Sequence, residues 1–250
     1  MQINAKENER IDNIGFGGLR LIQKPDEFCY GVDAVILADF AAKYNPQLAV
    51  DLGTGTGIIP LILSAKTDAK KIVGLEYQEG SFDRAARNVE LNGLSERLSM
   101  VRGDVKDPAA IERIKEALGG EADMITCNPP YMPASGALTS TNEAKAIARQ
   151  ECIAGLNDFA AAAAKLLGRR GHFCMVHRPS RLADIFCALR ENGLEPKEMT
   201  LVAPKPGAEP NIVLLHAIKG AGAELKVTDT LFVRDESGEY SKEIDRIYGR

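Results

Sequence analysis

Short apolar runs alternate along the chain with stretches whose apolar residues return every three or four positions, the signatures of buried strands and of helices with one inward face. Runs over 48–51, 71–76, 98–102 and 123–127 read as strands. Between them, residues 34–43, a segment from 58 onward (Ile58, Leu61, Ile62, Ala65), 79–92 and 109–118 read as helices. In 79–92 the expected inward face is Phe82, Ala85, Ala86 and Val89, and Gly93 stops the helix; Gly119 and Gly120 stop the next. An alanine-rich helix over 156–167 feeds a strand over 172–176, and a helix over 179–192 follows. Residues 196–202 and 212–218 then read as an antiparallel edge pair. At the front, Gly15, Gly17, Gly18 and the run 19–23 predict a short strand or hairpin. Residues 132–150 read as a polar loop with a weak helix, and the tail as a strand near 231–233 and a helix over 241–247. Strand and helix alternating in this way predict an α/β fold with a doubly wound, mostly parallel sheet. The expected organisation is an N-terminal cap over 1–45, a main domain over 46–220 and a tail over 221–250 packed on it.

Composition narrows this picture slightly. A chain of 250 residues with 45% hydrophobic content can bury one substantial core. No apolar run has membrane-spanning length and the polar start is no signal peptide, so a cytoplasmic protein is expected. The five cysteines (Cys29, Cys127, Cys152, Cys174, Cys187) are odd in number and form no C-x-x-C, and none pairs with a histidine at metal-ligand spacing; buried reduced thiols and no metal are expected. A net charge of −4 argues against strong nonspecific nucleic-acid binding. Lys165, Arg169, Arg170, Arg178 and Arg181 nevertheless lie in a stretch with no acid between Asp158 and Asp184. Such a patch can engage phosphates, or be a solvated face around a strand.

The chemistry gathers where strands end. Asp51-Leu52-Gly53-Thr54-Gly55-Thr56-Gly57 joins the first of these strands to its helix, with Pro60 in the helix's first turn. Three glycines at alternate positions permit positive φ and leave bare backbone facing a ligand. The spacing is G-x-G-x-G rather than the dinucleotide G-x-G-x-x-G, and Asp51 would repel a phosphate. An ammonium or sulfonium ligand suits that carboxylate. Glu76 ends the next strand some twenty residues on, the offset at which an acid grips ribose hydroxyls. Gly103-Asp104 ends the third, where a carboxylate could meet an adenine amino group. Asp33 is placed either to cap the helix that follows it or, with Gly31 to Ala34, to fold over the ligand.

On these residues the chain resembles the class I S-adenosylmethionine-dependent methyltransferases. The resemblance implies a Rossmann-like, mostly parallel seven-stranded sheet with an antiparallel edge pair, and S-adenosylmethionine as cofactor. It implies a binding set of Gly31, Asp33, Asp51, Gly53, Thr54, Gly55, Gly57, Glu76, Tyr77, Gly103, Asp104 and Asn128. The most specific stretch is Asn128-Pro129-Pro130-Tyr131, at the end of the fourth strand. An amino nitrogen conjugated to a ring or carbonyl is a poor nucleophile. The Asn128 side-chain oxygen and the Pro129 carbonyl can each accept one of its N–H groups and so aim its lone pair. Pro130 stiffens the turn, and Tyr131 can stack on a planar base.

This motif is shared by enzymes acting on adenine in DNA or RNA, on guanine in ribosomal RNA and on a protein glutamine amide. The flanks separate them. Gly31 to Ala38, Ala148-Arg149-Gln150-Glu151, His177-Arg178-Pro179-Ser180-Arg181, Leu194-Glu195-Pro196-Lys197, Pro204-Lys205, Pro210 to Leu214 and Gly238-Glu239-Tyr240-Ser241 resemble the bacterial tRNA adenine-N6 methyltransferases that modify adenine 37 of a valine tRNA. Departures are Gln150, where relatives often carry histidine, and Pro206-Gly207 in the late basic loop. The resemblance implies a tRNA partner, no membrane and no obligate protein partner, with Arg149, Arg178, Arg181 and Lys205 as candidate RNA contacts. A glutamine methyltransferase is disfavoured because only about forty residues precede the cofactor strand, where a dedicated helical domain would stand. A non-catalytic RNA-binding module is disfavoured by the intact acids and Asn-Pro-Pro-Tyr.

Overall fold

The apolar runs lie side by side in one sheet, and the helical segments cover both of its faces. The computed structural model describes residues 5–27, 29–129 and 154–250. In chain order it forms β1 (Arg10–Asn13), β2 (Arg20–Gln23), α1 (Val32–Ala42), β3 (Leu48–Leu52), α2 (Ile58–Lys66), β4 (Lys71–Glu76), α3 (Glu79–Leu91), β5 (Leu98–Arg102), α4 (Pro108–Leu118) and β6 (Ala122–Cys127). There follow α5 (Leu156–Leu166), β7 (Leu167–His177), a 3₁₀ turn (Pro179–Arg181), α6 (Leu182–Glu191), β8 (Leu194–Ala203), β9 (Ile212–Lys219), β10 (Lys226–Val227), β11 (Leu231–Phe232) and α7 (Lys242–Tyr248).

The main sheet runs β10-β8-β9-β7-β6-β3-β4-β5, with β11 also on β8. β9 is antiparallel to both its neighbours, and the other long strands are parallel. The late pair is thus antiparallel as expected, with β9 inserted between β7 and β8. Two short strands from the tail extend the seven long ones beside β8. β1 and β2 form a separate hairpin. The chain steps outward from β3 through β4 to β5, then returns to β6 on the other side of β3. Such a reversal of strand order opens a crevice at the carboxyl ends of the two central strands.

Two cores flank the sheet. One holds α1, α2, Val89 of α3, the hairpin's Ile14, Phe16 and Leu21, and Ile244 and Ile247 of α7. The other holds α4, α5 and α6. α1 is apolar on nearly every side because it lies between α2, β7 and α7. α7 is tied down by Lys66, which donates to the Ile247 carbonyl at 2.6 Å and to Asp39 at 2.8 Å. Asp107 caps α4 by accepting the Ala109 N–H, and Gly119 ends it in the left-handed region.

Five expectations need correction. The inward residues of α3 are Arg84, Ala85, Asn88 and Val89, so its buried face is partly polar. The N-cap of α1 is Gly31, with Asp33 inside the first turn. β7 begins five residues early, because Leu167 pairs with Ala122 before a bulge, and residues 179–181 are 3₁₀. Of the described cysteines, which are free thiols, only Cys127 and Cys174 are buried; Cys29 is half-buried and Cys187 exposed.

Candidate active site

Asp51 and Thr126 are direct neighbours in the β3–β6 register, on the face that carries α1. The Thr126 hydroxyl donates to Asp51 Oδ1 at 2.7 Å. Asp51 is 1% exposed, and burial pushes its carboxyl up to about 6, with the Thr54 and Thr126 hydroxyls opposing and the Glu76 charge adding. Its Oδ2 and the Thr54 hydroxyl are buried and make no hydrogen bond of normal geometry among the described residues, although the hydroxyl lies close enough to the carboxyl to oppose its shift. Orphaned buried acceptors of this kind need a partner.

The loop beyond β3 is shaped by its glycines: Gly53, Gly55 and Gly57 have φ of 74°, 58° and 81°. A side chain at Gly57 would press on Met100 and Ala85, whereas nothing lies within 4 Å of a Cβ built on Gly55. Gly55 therefore faces open space at the crevice. Glu76, at the end of β4, accepts the Gly55 N–H at 2.8 Å and the Gln78 N–H at 2.7 Å. Burial raises its pKa, with those N–H groups opposing. Tyr77 beside it is 50% exposed. Gly103, past β5, donates to the Glu76 carbonyl and would clash with Ala110 if it carried a side chain. Asp104 accepts the Lys106 N–H at 2.9 Å.

Asn128, two residues past Thr126, continues the same face of β6. Its Nδ2 makes a long contact, 3.5 Å, with Oδ2 of Asp33, and Asp33 Oδ1 accepts the Ala34 N–H. Asp33 thus joins the crevice rather than only closing a helix end. With Nδ2 directed at that carboxylate, the Asn128 oxygen is turned the other way, an orientation set by the neighbouring charge. Pro129 is buried. Pro130, Tyr131 and Arg149, and the loop expected over 132–150, lie outside the described residues.

The basic run divides. Arg169 and Arg170 sit in the bulge at the start of β7. Arg178 lies six residues past His172, roughly 20 Å along the strand, at the crevice end. There Arg178 donates to the Asn211 carbonyl at 3.0 Å, and Arg181 pairs with Asp184 at 2.6 Å. Lys205 is exposed beyond the carboxyl end of β8, along the same sheet edge. His177, 1% exposed, accepts the Arg178 N–H at Nδ1; burial lowers its pKa to about 4, with Arg181 adding.

Two further groups were given no role by the sequence reading. Arg234 stacks over the Tyr240 ring at 4.9 Å and Arg250 over Tyr248 at 4.9 Å; Tyr240 and Tyr248 stack at 6.4 Å, and Phe16 continues the row at 5.9 Å. Burial raises the Tyr248 hydroxyl to about 12, with Tyr30 and Tyr240 adding. Asn88, on the buried face of α3, contacts the glycine loop. An asparagine within an apolar stripe was the available signal.

A cationic ligand fits this edge: anionic side chains, an unpartnered buried carboxylate oxygen and bare backbone converge on it. Solved structures share the fold. A protein from Agrobacterium tumefaciens described as a predicted O-methyltransferase superposes with a TM-score of 0.67 at 22% identity, covering 87% of this chain and 95% of its own. M. jannaschii TYW2, solved in complex with AdoMet, gives 0.56 at 14% identity over 86% and 87%. Among curated proteins, the tRNA1(Val) (adenine(37)-N6)-methyltransferase of Porphyromonas gingivalis (strain ATCC 33277) is 28% identical over 87% of this chain and 86% of its own length. That of Flavobacterium johnsoniae is 27% identical over 85% and 87%. Residues 26–181, more than half the chain and the span that includes every element of the crevice from Gly31 to Arg181, match the model of one family, and by that match the chain belongs to the RNA methyltransferase family.

Proposed function

We propose that this enzyme methylates the exocyclic N6 of adenine in tRNA, at position 37 of the anticodon loop. The observation that carries the chemistry is Asn128, whose amide is oriented by Asp33 next to the strand end that holds Asp51. The Asn128 oxygen and the Pro129 carbonyl accept the two N–H groups of the target amine, which leaves its lone pair free to point along the crevice. S-adenosylmethionine, when bound, supplies an electrophilic methyl group. Asp51, Thr54 and Asp33 would hold its cationic amino-acid end, Glu76 its ribose hydroxyls and Asp104 its adenine. Alignment of this kind contributes up to about 7–11 kcal/mol without a strong general base.

Adenine in tRNA is favoured over the other amino targets by the curated relatives, which carry that activity in their names and cover most of the chain. The exposed Tyr240, with Arg234 and Arg250 beside it, offers an RNA loop both a stacking surface and phosphate partners. Arg178, Arg181 and Lys205 lie on the same edge. A loop base is already partly unstacked, so drawing it into the crevice costs less than the few kcal/mol needed in a duplex. The test is mass spectrometry of tRNA incubated with the protein and isotopically labelled S-adenosylmethionine. Labelled N6-methyladenosine in the anticodon loop is the expected product. Label confined to a release-factor glutamine, or to another base, overturns the assignment.

A further inference from the structure

Asn88 is fully buried on α3 and belongs to none of the motifs above. Its Oδ1 accepts the Ile22 N–H at 2.6 Å, while Nδ2 donates to the Ile22 carbonyl at 3.3 Å and to the Thr56 carbonyl at 2.9 Å. One helical turn later Asn92 repeats the pattern on Arg20, accepting its N–H at 2.8 Å and donating to its carbonyl at 2.7 Å. The two amides therefore occupy the outward N–H and C=O groups of alternate residues of β2. Of the two, Asn88 is the one that also reaches the glycine loop.

In that loop the Thr56–Gly57 peptide is held at both ends. The Gly57 N–H donates to the Thr54 carbonyl at 2.9 Å, and Asn88 takes the Thr56 carbonyl. Glu76 holds the Gly55 N–H one residue earlier. A loop with glycines at alternate positions is otherwise free to sample many conformations, and ordering it on binding would lower affinity.

We propose that Asn88 is a positioning residue for the methyl donor: it clamps the Thr56 carbonyl, keeps the glycine loop in its binding shape and couples that shape to the N-terminal hairpin. This rests on reading the loop as the donor site. Calorimetry of the full chain with S-adenosylmethionine tests it. Asn88→Ala weakens donor binding about tenfold, the scale of one buried hydrogen bond, and leaves kcat at saturating donor within about threefold. Asn92→Ala, which removes the neighbouring hairpin contact but not the loop contact, changes donor affinity less than about twofold. Asn88→Asp carries a second signature. At pH 8.5 its carboxylate faces two carbonyls and binding is weak relative to wild type at that pH. Near pH 6 the buried carboxyl takes a proton, regains a donor and recovers affinity relative to wild type.

Unchanged affinity in folded Asn88→Ala, or equal weakening in Asn92→Ala, overturns the proposal. If Asn88→Ala does not fold, the Asp variant decides alone: a relative affinity that does not change with pH overturns it. A wild-type chain that binds no donor sinks the site reading and this proposal together, whereas wild-type binding with unaffected variants sinks this proposal alone.

Discussion

Asp51 places a carboxyl with an ordinary value of 3.8 in a setting that moves it to about 6, chiefly by burial. The folded chain therefore holds its proton more tightly than the unfolded chain does. Between pH 6 and 4 this group makes the donor-free protein more stable as pH falls, by at most about 3 kcal/mol, the reverse of a salt-bridged carboxylate. Affinity for a cationic donor moves the opposite way, because the neutral acid cannot attract it. Donor affinity measured by calorimetry should be level above pH 7 and weaken by up to about tenfold per unit below pH 6. A profile flat down to pH 5 would remove Asp51 from the donor's charged end. Asn128 makes the complementary prediction. Asn128→Ala should lower kcat by about 10²–10³, the usual cost of one lost polar contact to a reacting group, with donor affinity nearly intact. Loss of donor binding in step with kcat would instead assign Asn128 to the cofactor. The acids and the Asn-Pro segment were legible in sequence because each closes an apolar run. Asp33's contact with Asn128 was not, since 95 residues separate partners that share only a sheet edge.

At the level of elements, the far end of the sheet shows what alternation alone leaves open. Tyr44, just past α1, stacks on His172 of β7 and His216 of β9 with centroids 4.9 and 4.1 Å apart, and the two imidazoles share a hydrogen bond of 2.9 Å. Burial lowers both histidine pKa values, that of His216 to about 4 with His172 adding. Unfolded histidines take up protons below about pH 6.5 that the stack refuses, so this contribution is complete above 6.5 and is lost as pH falls through about 4. His216→Gln should flatten that acid slope by roughly 1.4 kcal/mol per pH unit between pH 6 and 4.5, read from urea melts. An unchanged slope would mean that His216 titrates normally. Sequence could not join these three residues, because their meeting depends on β9 inserting beside β7. β7 also explains the basic run: continuous in sequence, its arginines are carried to opposite ends of that one strand.

Taken whole, the molecule carries net negative charge yet belongs to a family that acts on RNA, so binding has to rest on local surfaces. The tyrosine–arginine row of the tail is the surface we propose for this role. Arg234→Ala combined with Arg250→Ala should raise the apparent KM for tRNA several-fold and make its salt dependence shallower, leaving donor affinity unchanged. Equal tRNA binding at every ionic strength would exclude the row from the interface. The strand–helix order and doubly wound layers were legible because short apolar runs of strand length alternate with longer segments that end at glycines or caps. The tail's placement was not, because two-residue strands and a seven-residue helix carry too little periodicity to announce a docking site. The hairpin has a final consequence at this scale. A lone two-stranded ribbon normally presents an open border on which an identical chain can zip. Here side-chain amides from α3 satisfy the outer border of β2 from within the same chain, so on that side the ribbon offers an identical copy no row of unpaired peptide groups.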